Sequence, residues 1–179
     1  MNQHTVLTMK TIQYLALVLG LISVPAYADT KVTDAQIAAI VVAANQVDID
    51  AGKFAAKTST DAEVKKFAET MVTDHTAVNR SAVTLVTKLK VSPVENDTSR
   101  ALKAGGEKNL AELRALKGKA FDKTYVDREV AYHEQVIQAI DTVLIPNAQN
   151  PELKALLVKV RPAFIEHLNH AKHLQTRFR

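Results

Sequence analysis

Four ionisable residues stand where the hydrophobic repeat of four helical segments calls for an apolar side chain. They are Asp48, His75, His133 and His167. Apolar residues flank each of them at steps of three or four, the spacing of a single helix face. A buried carboxylate or imidazole is costly unless it is paired, hydrogen-bonded or bound to a metal ion. The pattern therefore predicts one shared polar site inside a helical bundle.

The residue types indicate what such a site would hold. Three imidazoles and one carboxylate suit a tetrahedral or five-coordinate Zn²⁺, Fe²⁺ or Cu²⁺ ion. A rise of about 1.5 Å per residue places both residues of each pair, Asp48 with His75 and His133 with His167, roughly 15–24 Å from their shared turn. Glu129 precedes His133 by four residues and shares its face. It is a candidate ligand or an acceptor for the imidazole N–H, and the alternative is an exposed helix charge.

Other hypotheses explain the same residues. One is a structural or interaction module of the cell envelope, whose metal-free polar core fixes the register of the helices. Another is a ferritin-type di-iron oxidase, which uses a Glu from each of two helices and Glu-x-x-His from the other two. Here Val72, Val130 and Phe164 stand three residues before the histidines, so that motif is missing. With no cysteine, no glycine-rich phosphate loop and no serine elbow, the sequence favours a protein without catalytic activity.

The elements that must position these residues are all helices, because the periodicity is helical throughout and no segment alternates like a strand. Capping boxes at Thr33-x-x-Gln36 and Thr60-x-x-Glu63 predict where the first two helices begin, and Asn150-Pro151 predicts where the last helix begins. Gly118 is expected to end the third helix. The predicted helices cover about 33–57, 60–90, 98–117, 122–144 and 151–175.

The connections between these helices predict the fold class. Tight turns join the first helix to the second and the fourth to the fifth, which makes two antiparallel hairpins. The segment between the hairpins must carry the chain back across the bundle. We therefore expect an all-α, ferritin-like four-helix bundle of two antiparallel hairpins, joined by a long crossover that contains an extra short helix.

The first 28 residues have the pattern of a secretory signal. Lys10 supplies the positive region, residues 14–24 the apolar region, and Ala26-Tyr27-Ala28 a small-x-small cleavage site. The apolar run is shorter than the roughly 20 residues that span a bilayer. We expect a cleaved signal peptide over 1–28, one domain over 29–179, a periplasmic or cell-envelope location, and no transmembrane segment after cleavage.

The composition limits which classes of partner are expected. The net charge is +4, and the basic residues are scattered with few aromatics among them. This pattern argues against a nucleic-acid partner. An envelope protein or a second copy of the chain stays open as a partner. The chain has no cysteine, so its stability outside the cytoplasm must come from packing or from a metal.

Several segments resemble a known family. They are Phe54-Ala55-Ala56-Lys57, residues 63–68, Met71-Val72-x-Asp74-His75 with Asn79, Phe121-Asp122-x-x-Tyr125-Val126, His133, and Pro162-x-x-x-x-His167. The chain resembles the bacterial "domain of unknown function 4142" family over about residues 33–175. This is a ferritin-like group whose members are often labelled outer-membrane proteins. The resemblance implies a ferritin-like bundle in the cell envelope, and it aligns Asp48 with a position that is usually Glu.

Overall fold

The structure, a computed structural model, describes residues 31–178, and within them it contains helices and no strand. The signal peptide predicted over 1–28 lies outside the described residues. The five main helices are α1 (Asp34–Thr58), α2 (Ala62–Lys88), α3 (Asp97–Arg114), α4 (Gly118–Ala139) and α5 (Pro151–Gln175). The all-α prediction is therefore confirmed.

Shorter helical segments extend two of these helices. A π-helical segment, Ile140–Leu144, and one α-helical turn, Ile145–Asn147, continue α4. A 3₁₀ turn, Thr176–Phe178, follows α5. Across residues 31–178, no helix combines the length and apolar character that a membrane crossing needs.

Two of the predicted helix starts are confirmed. The Thr33 hydroxyl accepts the backbone N–H of Gln36, and the Gln36 side chain accepts the backbone N–H of Thr33, which is the predicted capping box. The Asn150 side chain accepts the N–H groups of Glu152 and Leu153, with Pro151 at the first helical position. Both ends satisfy amides that the helix itself leaves without partners.

Two other predicted boundaries are wrong. The capping residue of α2 is Asp61, not Thr60, and its carboxylate accepts the N–H groups of Glu63 and Val64. A carboxylate also interacts favourably with the positive end of a helix, which a threonine hydroxyl does not. α3 ends at Arg114, and Gly118 opens α4 with a left-handed φ of 55° that suits glycine. α4 consequently begins four residues before the predicted start.

The packing of the helices follows the predicted hairpins. α1 packs along α2, α4 packs along α5, and α2 also contacts α5. Connections of three residues each, 59–61 and 148–150, force the helices of each hairpin to run in opposite directions. The crossover carries α3, which has 18 residues and packs against α1 and α4. At one point α1 and α2 approach so closely that a Cβ on Gly52 would lie 2.9 Å from the Ala68 carbonyl oxygen.

The buried interior consists of two apolar clusters. One includes Ala51, Phe67, Met71, Val130, Ala171 and Leu174, and the other includes Val41, Ala82, Val136, Leu144, Leu157 and Phe164. On α1, α2, α4 and α5 five buried ionisable residues fall between a residue of one cluster and a residue of the other. We call this set the polar layer; it comprises Asp48, His75, Glu129, His133 and His167. The apolar clusters cover the layer from both ends of the bundle.

Candidate metal centre

Three histidines from three different helices converge in the polar layer. His75 on α2, His133 on α4 and His167 on α5 each offer a ring nitrogen, and these nitrogens lie within 4.8 Å of one another. The ring centroids are 5.2 to 5.6 Å apart. His75 and His133 are fully buried, and His167 is 7% exposed. The structure thus brings together all three predicted histidines.

The proton on His75 is located by a neighbouring amide. His75 Nδ1 lies 2.8 Å from Asn45 Oδ1, and Asn45 Nδ2 donates to the Val41 carbonyl at 2.7 Å. Because the Asn45 NH₂ group is used on Val41, its oxygen faces the imidazole and accepts the Nδ1 proton. A neutral imidazole has one N–H, so the Nε2 of His75 carries a free lone pair.

The same reasoning applies to the other two rings. His133 Nδ1 donates to the backbone carbonyl of Glu129 at 3.0 Å, which leaves Nε2 as the lone-pair atom. His167 Nε2 donates to Asp74 Oδ2 at 2.9 Å, which leaves Nδ1. The three remaining nitrogens, on His75, His133 and His167, are buried and have no hydrogen-bond partner. An outward hydrogen bond that fixes an inward lone pair is the arrangement of metal-binding histidines.

Burial keeps the rings of His75 and His133 neutral. It lowers the pKa of His133 to about 4, against an upward effect of the hydrogen bond to the Glu129 carbonyl and a further lowering by His167. Burial also lowers the pKa of His75 well below its ordinary value, and positive charge on His133 or His167 would lower it further. Both imidazoles are therefore unprotonated near neutral pH, as metal ligation requires.

Two carboxylates adjoin the imidazoles. Asp48 is 1% exposed, and its Oδ2 lies 3.4 Å from His75 Nε2. Glu129 is 3% exposed, and its Oε2 lies 3.5 Å from His133 Nδ1. Ligand atoms of Asp48, Glu129 and His133 lie within 4.8 Å of one another. Glu129 is not the exposed helix charge that the alternative described, because α3 packs over α1 and α4 on that side.

Both carboxylates resist ionisation in this environment. Burial raises the pKa of Asp48 well above its ordinary value, and the neighbouring Glu129 charge raises it further. Burial raises the pKa of Glu129 to about 8, although hydrogen bonding with Asp48 and Tyr125 works in the opposite direction. Two adjacent buried carboxylates cannot both ionise cheaply, so the pair retains at least one proton at neutral pH.

Sequence comparison places the chain in a family. Residues 22–174 match the family described as a domain of unknown function, DUF4142. The chain belongs to this family. No curated protein and no solved structure is similar enough to the chain to count as a match. The DUF4142 assignment confirms the resemblance found in the sequence, and its description names no activity, so the function has to be argued from the site.

The donor set of this DUF4142 chain fits a divalent transition metal. Three imidazoles can supply nitrogen, and two carboxylates can supply oxygen with the negative charge that a 2+ ion needs. Two of the unpartnered buried oxygens belong to Asp48 and Glu129, on the side that faces the imidazoles. The two groups of converging ligand atoms, His75 with His133 and His167, and Asp48 with Glu129 and His133, share His133, so a cation held by the histidines would lie close to both carboxylates.

Sequence reasoning missed three residues that shape the site. Asn45 lies three residues before Asp48, so its spacing placed it on the same face of α1. Asp74 stands beside the hydrophobic stripe of α2; its side chain is 45% exposed, and it accepts the N–H of His167. Tyr125 is fully buried one helical turn before Glu129. Asn45 and Tyr125 each had a spacing signal within their own helix. The contact between Asp74 and His167 had none, because it depends on how α2 and α5 pack.

Proposed function

We propose that the protein binds one divalent transition-metal cation in its core, through His75, His133 and His167, with Asp48 and Glu129 beside it. One observation carries the proposal: three buried lone pairs converge, and each ring has its proton committed to another acceptor. A buried polar atom without a partner costs about 1–3 kcal/mol. A single cation would remove several such costs at one place.

The chemistry of the donors limits the ion. Imidazole nitrogen suits Zn²⁺, Cu²⁺ and Fe²⁺, whereas Mg²⁺ and Ca²⁺ prefer oxygen ligands. The chain has no cysteine, so no thiolate adds a preference for softer ions. The proposal therefore covers Zn²⁺, Fe²⁺ and Cu²⁺, the three ions expected from the sequence.

The proposal extends to the setting in which the site works. The signal pattern around Lys10 supports export to the periplasm or cell envelope. The packing of two hairpins with a helical crossover supports a ferritin-like topology. Within such a bundle the metal would link α2, α4 and α5 through the histidines and α1 through Asp48.

The second candidate is a metal-free polar core that serves a structural or interaction module. It is favoured by the outward hydrogen bonds, which already satisfy one nitrogen of each ring. The inner nitrogens of the same rings oppose it. A metal-free layer leaves His75 Nε2, His133 Nε2 and His167 Nδ1 buried without a hydrogen-bond partner.

A di-iron oxidase is not supported by the donor set. The polar layer contains two carboxylates, whereas the ferritin-type centre takes one from each of four helices. The residues three before the histidines are Val72, Val130 and Phe164. Rotamer changes in the existing residues would not supply the missing ligands.

Elemental analysis tests the metal proposal. The protein is purified without an affinity tag or chelator, and is also titrated with Zn²⁺, Fe²⁺ and Cu²⁺ followed by removal of unbound ion. We expect about one ion per chain in the parent. The variant His133→Ala should lose the ion, and His173→Ala, which removes an exposed histidine, should retain it.

A third variant separates metal binding from a general loss of structure. Asn45→Leu keeps the bulk of the side chain but removes the acceptor that fixes the His75 proton. Loss of such an outer partner typically weakens metal binding 10–100-fold. Circular dichroism checks that each variant is folded. A folded parent that binds none of the three ions would overturn the proposal and leave the metal-free core as the explanation.

A further inference from the structure

A cavity of about 380 Å³ reaches the polar layer from the surface between α1, α3 and α4. Its mouth is lined by exposed residues such as Thr98, Gly105 and Gln135, and its floor is formed by Asp48 and Glu129. These are the carboxylates whose other contacts are the imidazoles of His75 and His133. The cavity therefore ends at the two carboxylates that adjoin the histidines of the candidate metal centre.

The walls of the cavity are mostly apolar, while its floor is acidic. Val47, Ala51 and Leu102 line the sides. The cationic group among the lining residues belongs to Arg128, which lies at the exposed rim and donates to Glu112 at 2.6 Å. An anion in the cavity would face two carboxylates that already offset the 2+ charge of the proposed cation, and the charge of Arg128 is used on Glu112. An uncharged molecule that donates a hydrogen bond would instead satisfy a carboxylate oxygen.

We propose that this cavity binds a small uncharged molecule carrying an O–H or N–H group and presents it to the metal. The molecule would donate its hydrogen bond to Asp48 or Glu129 and offer a lone pair to the cation beside them. The inference rests on the proposed metal function. The cavity volume sets the size, because a protein cavity of about 150 Å³ already holds a benzene ring. A five- or six-membered ring with one polar edge fits within it.

Two adjacent glycines on α3 show how the cavity is kept open. A Cβ on Gly106 would lie 2.8 Å from Val47 Cγ2, so this glycine lets α3 pack tightly against α1. A Cβ on Gly105 would meet nothing within 4 Å, although Gly105 lines the cavity. The missing side chain at position 105 therefore leaves space rather than permitting contact. A larger residue there would fill the cavity without displacing a helix.

The test uses the Co²⁺-loaded protein with imidazole as the uncharged probe and acetate as the anionic one. Absorption bands of bound Co²⁺ first report whether the metal centre forms, after unbound ion has been removed. Imidazole is then added at pH 8, where it is uncharged. We expect a saturable change in the bands with imidazole and none with acetate. Equal responses to both probes would overturn the proposed selectivity.

Matched variants localise the effect. Gly105→Leu should lower the apparent affinity for imidazole at least tenfold while Co²⁺ loading stays unchanged. Ala104→Leu, on an exposed neighbouring position that does not line the cavity, should behave as the parent. An unchanged imidazole affinity in Gly105→Leu would mean that the probe reaches the metal elsewhere, and the proposal would be wrong.

A second readout does not depend on the metal. Amide signals of Gly105 and Gly106 in NMR spectra of the unloaded protein should shift when imidazole is added. If Co²⁺ fails to bind, the proposed metal function fails and so does presentation to a metal, and the amide shifts then decide whether the cavity alone is a ligand site. If Co²⁺ binds and neither the bands nor the amides respond, only the cavity proposal is overturned.

Discussion

The direction of three hydrogen bonds controls the chemistry of the individual residues. Asn45, the Glu129 carbonyl and Asp74 accept a hydrogen bond from His75, His133 and His167, respectively. The unprotonated nitrogens consequently face one another. Had any one ring been flipped, its N–H would point into the layer and repel a cation. The acceptors outside the layer thus determine what the layer can bind.

At the same scale, the buried carboxylates make the unloaded protein less stable as the pH rises. The folded pKa of Glu129 is about 8 against an ordinary 4.5, so between these values the folded state holds a proton that the unfolded chain has lost. The free energy of unfolding falls across that window. His133 has a folded pKa of about 4 and an ordinary 6.5. The titration of His133 makes the free energy of unfolding rise with pH, and it does so mainly below pH 6.5.

We therefore expect the free energy of unfolding to fall by roughly 2 kcal/mol between pH 6.5 and pH 8. The raised pKa of Asp48 acts in the same direction. Urea denaturation in the presence of a chelator measures this at both pH values. The double variant Asp48→Asn/Glu129→Gln should show no such fall, whereas Glu134→Gln, an exposed carboxylate paired with Lys172, should retain it. A parent that is equally stable at both pH values would contradict the expectation.

The sequence predicted the layer better than its proton positions. Asp48, His75, His133 and His167 were found because a polar residue in a hydrophobic repeat is visible in one dimension. The hydrogen bond between His167 and Asp74 joins residues 93 positions apart on α5 and α2. No local pattern encodes that contact, since it depends on the rotation of both helices about their axes.

At the scale of elements, α3 determines whether the polar layer is sealed or accessible. It packs against α1 and α4 and covers Glu129, which would otherwise be an exposed charge. Gly105 and Gly106 lie within this helix and do not interrupt it. Their effects on packing differ although they are neighbours, because successive helical positions point about 100° apart. One faces α1 and the other faces the cavity.

This difference predicts that alanine at the two positions changes the free energy of unfolding in opposite directions. Gly105→Ala should raise the free energy of unfolding by up to about 1 kcal/mol, since alanine favours the helix and its Cβ has open space. Gly106→Ala should lower it, because a Cβ 2.8 Å from the branched Val47 side chain forces α3 outward. Overpacking of this kind costs about 1–3 kcal/mol and outweighs the propensity gain.

Urea denaturation of the two variants beside the parent checks the prediction. A result of equal sign for both substitutions would show that α3 does not pack against α1 as described. All three proteins are measured at one pH and in the presence of a chelator, so that the protonation of the buried carboxylates and the metal content do not differ between them. Gly105→Ala serves as the matched control for helix propensity, because it changes the same residue type in the same helix.

Helix existence was predictable from the sequence, while the exact ends were less so. Periodicity spans dozens of residues and identified all five helices, but an end depends on a single competition between neighbouring polar groups. Thr60 and Asp61 are both suitable N-cap residues, and Asp61 is the one that accepts hydrogen bonds from two backbone amides of α2. The burial of Glu129 was not predictable either, since it depends on where the crossover helix packs.

At the scale of the whole molecule, the polar layer divides the interior into two apolar halves. Each half is built from residues of α1, α2, α4 and α5, and the layer interrupts both hairpins near the middle of their helices. Without a cation, the halves are joined across unpartnered groups. With one, three of the four helices share histidine ligands to a single ion. Metal binding should therefore raise the free energy of unfolding of the entire domain.

That coupling predicts how Zn²⁺ changes thermal stability and its dependence on pH. An ion that binds only the folded state stabilises it by about 2.7 kcal/mol at a free concentration 100 times its Kd, which raises the Tm of a domain this size by roughly 5–10 °C. In the loaded protein Asp48 and Glu129 are ionised, as they are in the unfolded chain, so proton binding no longer differs between the two states from pH 6.5 to pH 8. The loaded protein should therefore keep its stability across this range while the unloaded protein loses it, and the Zn²⁺-induced shift should grow with pH. Calorimetry at buffered free Zn²⁺ measures both shifts. His133→Ala should show none, and a shift of equal size at the two pH values would mean that the cation binds away from the carboxylates.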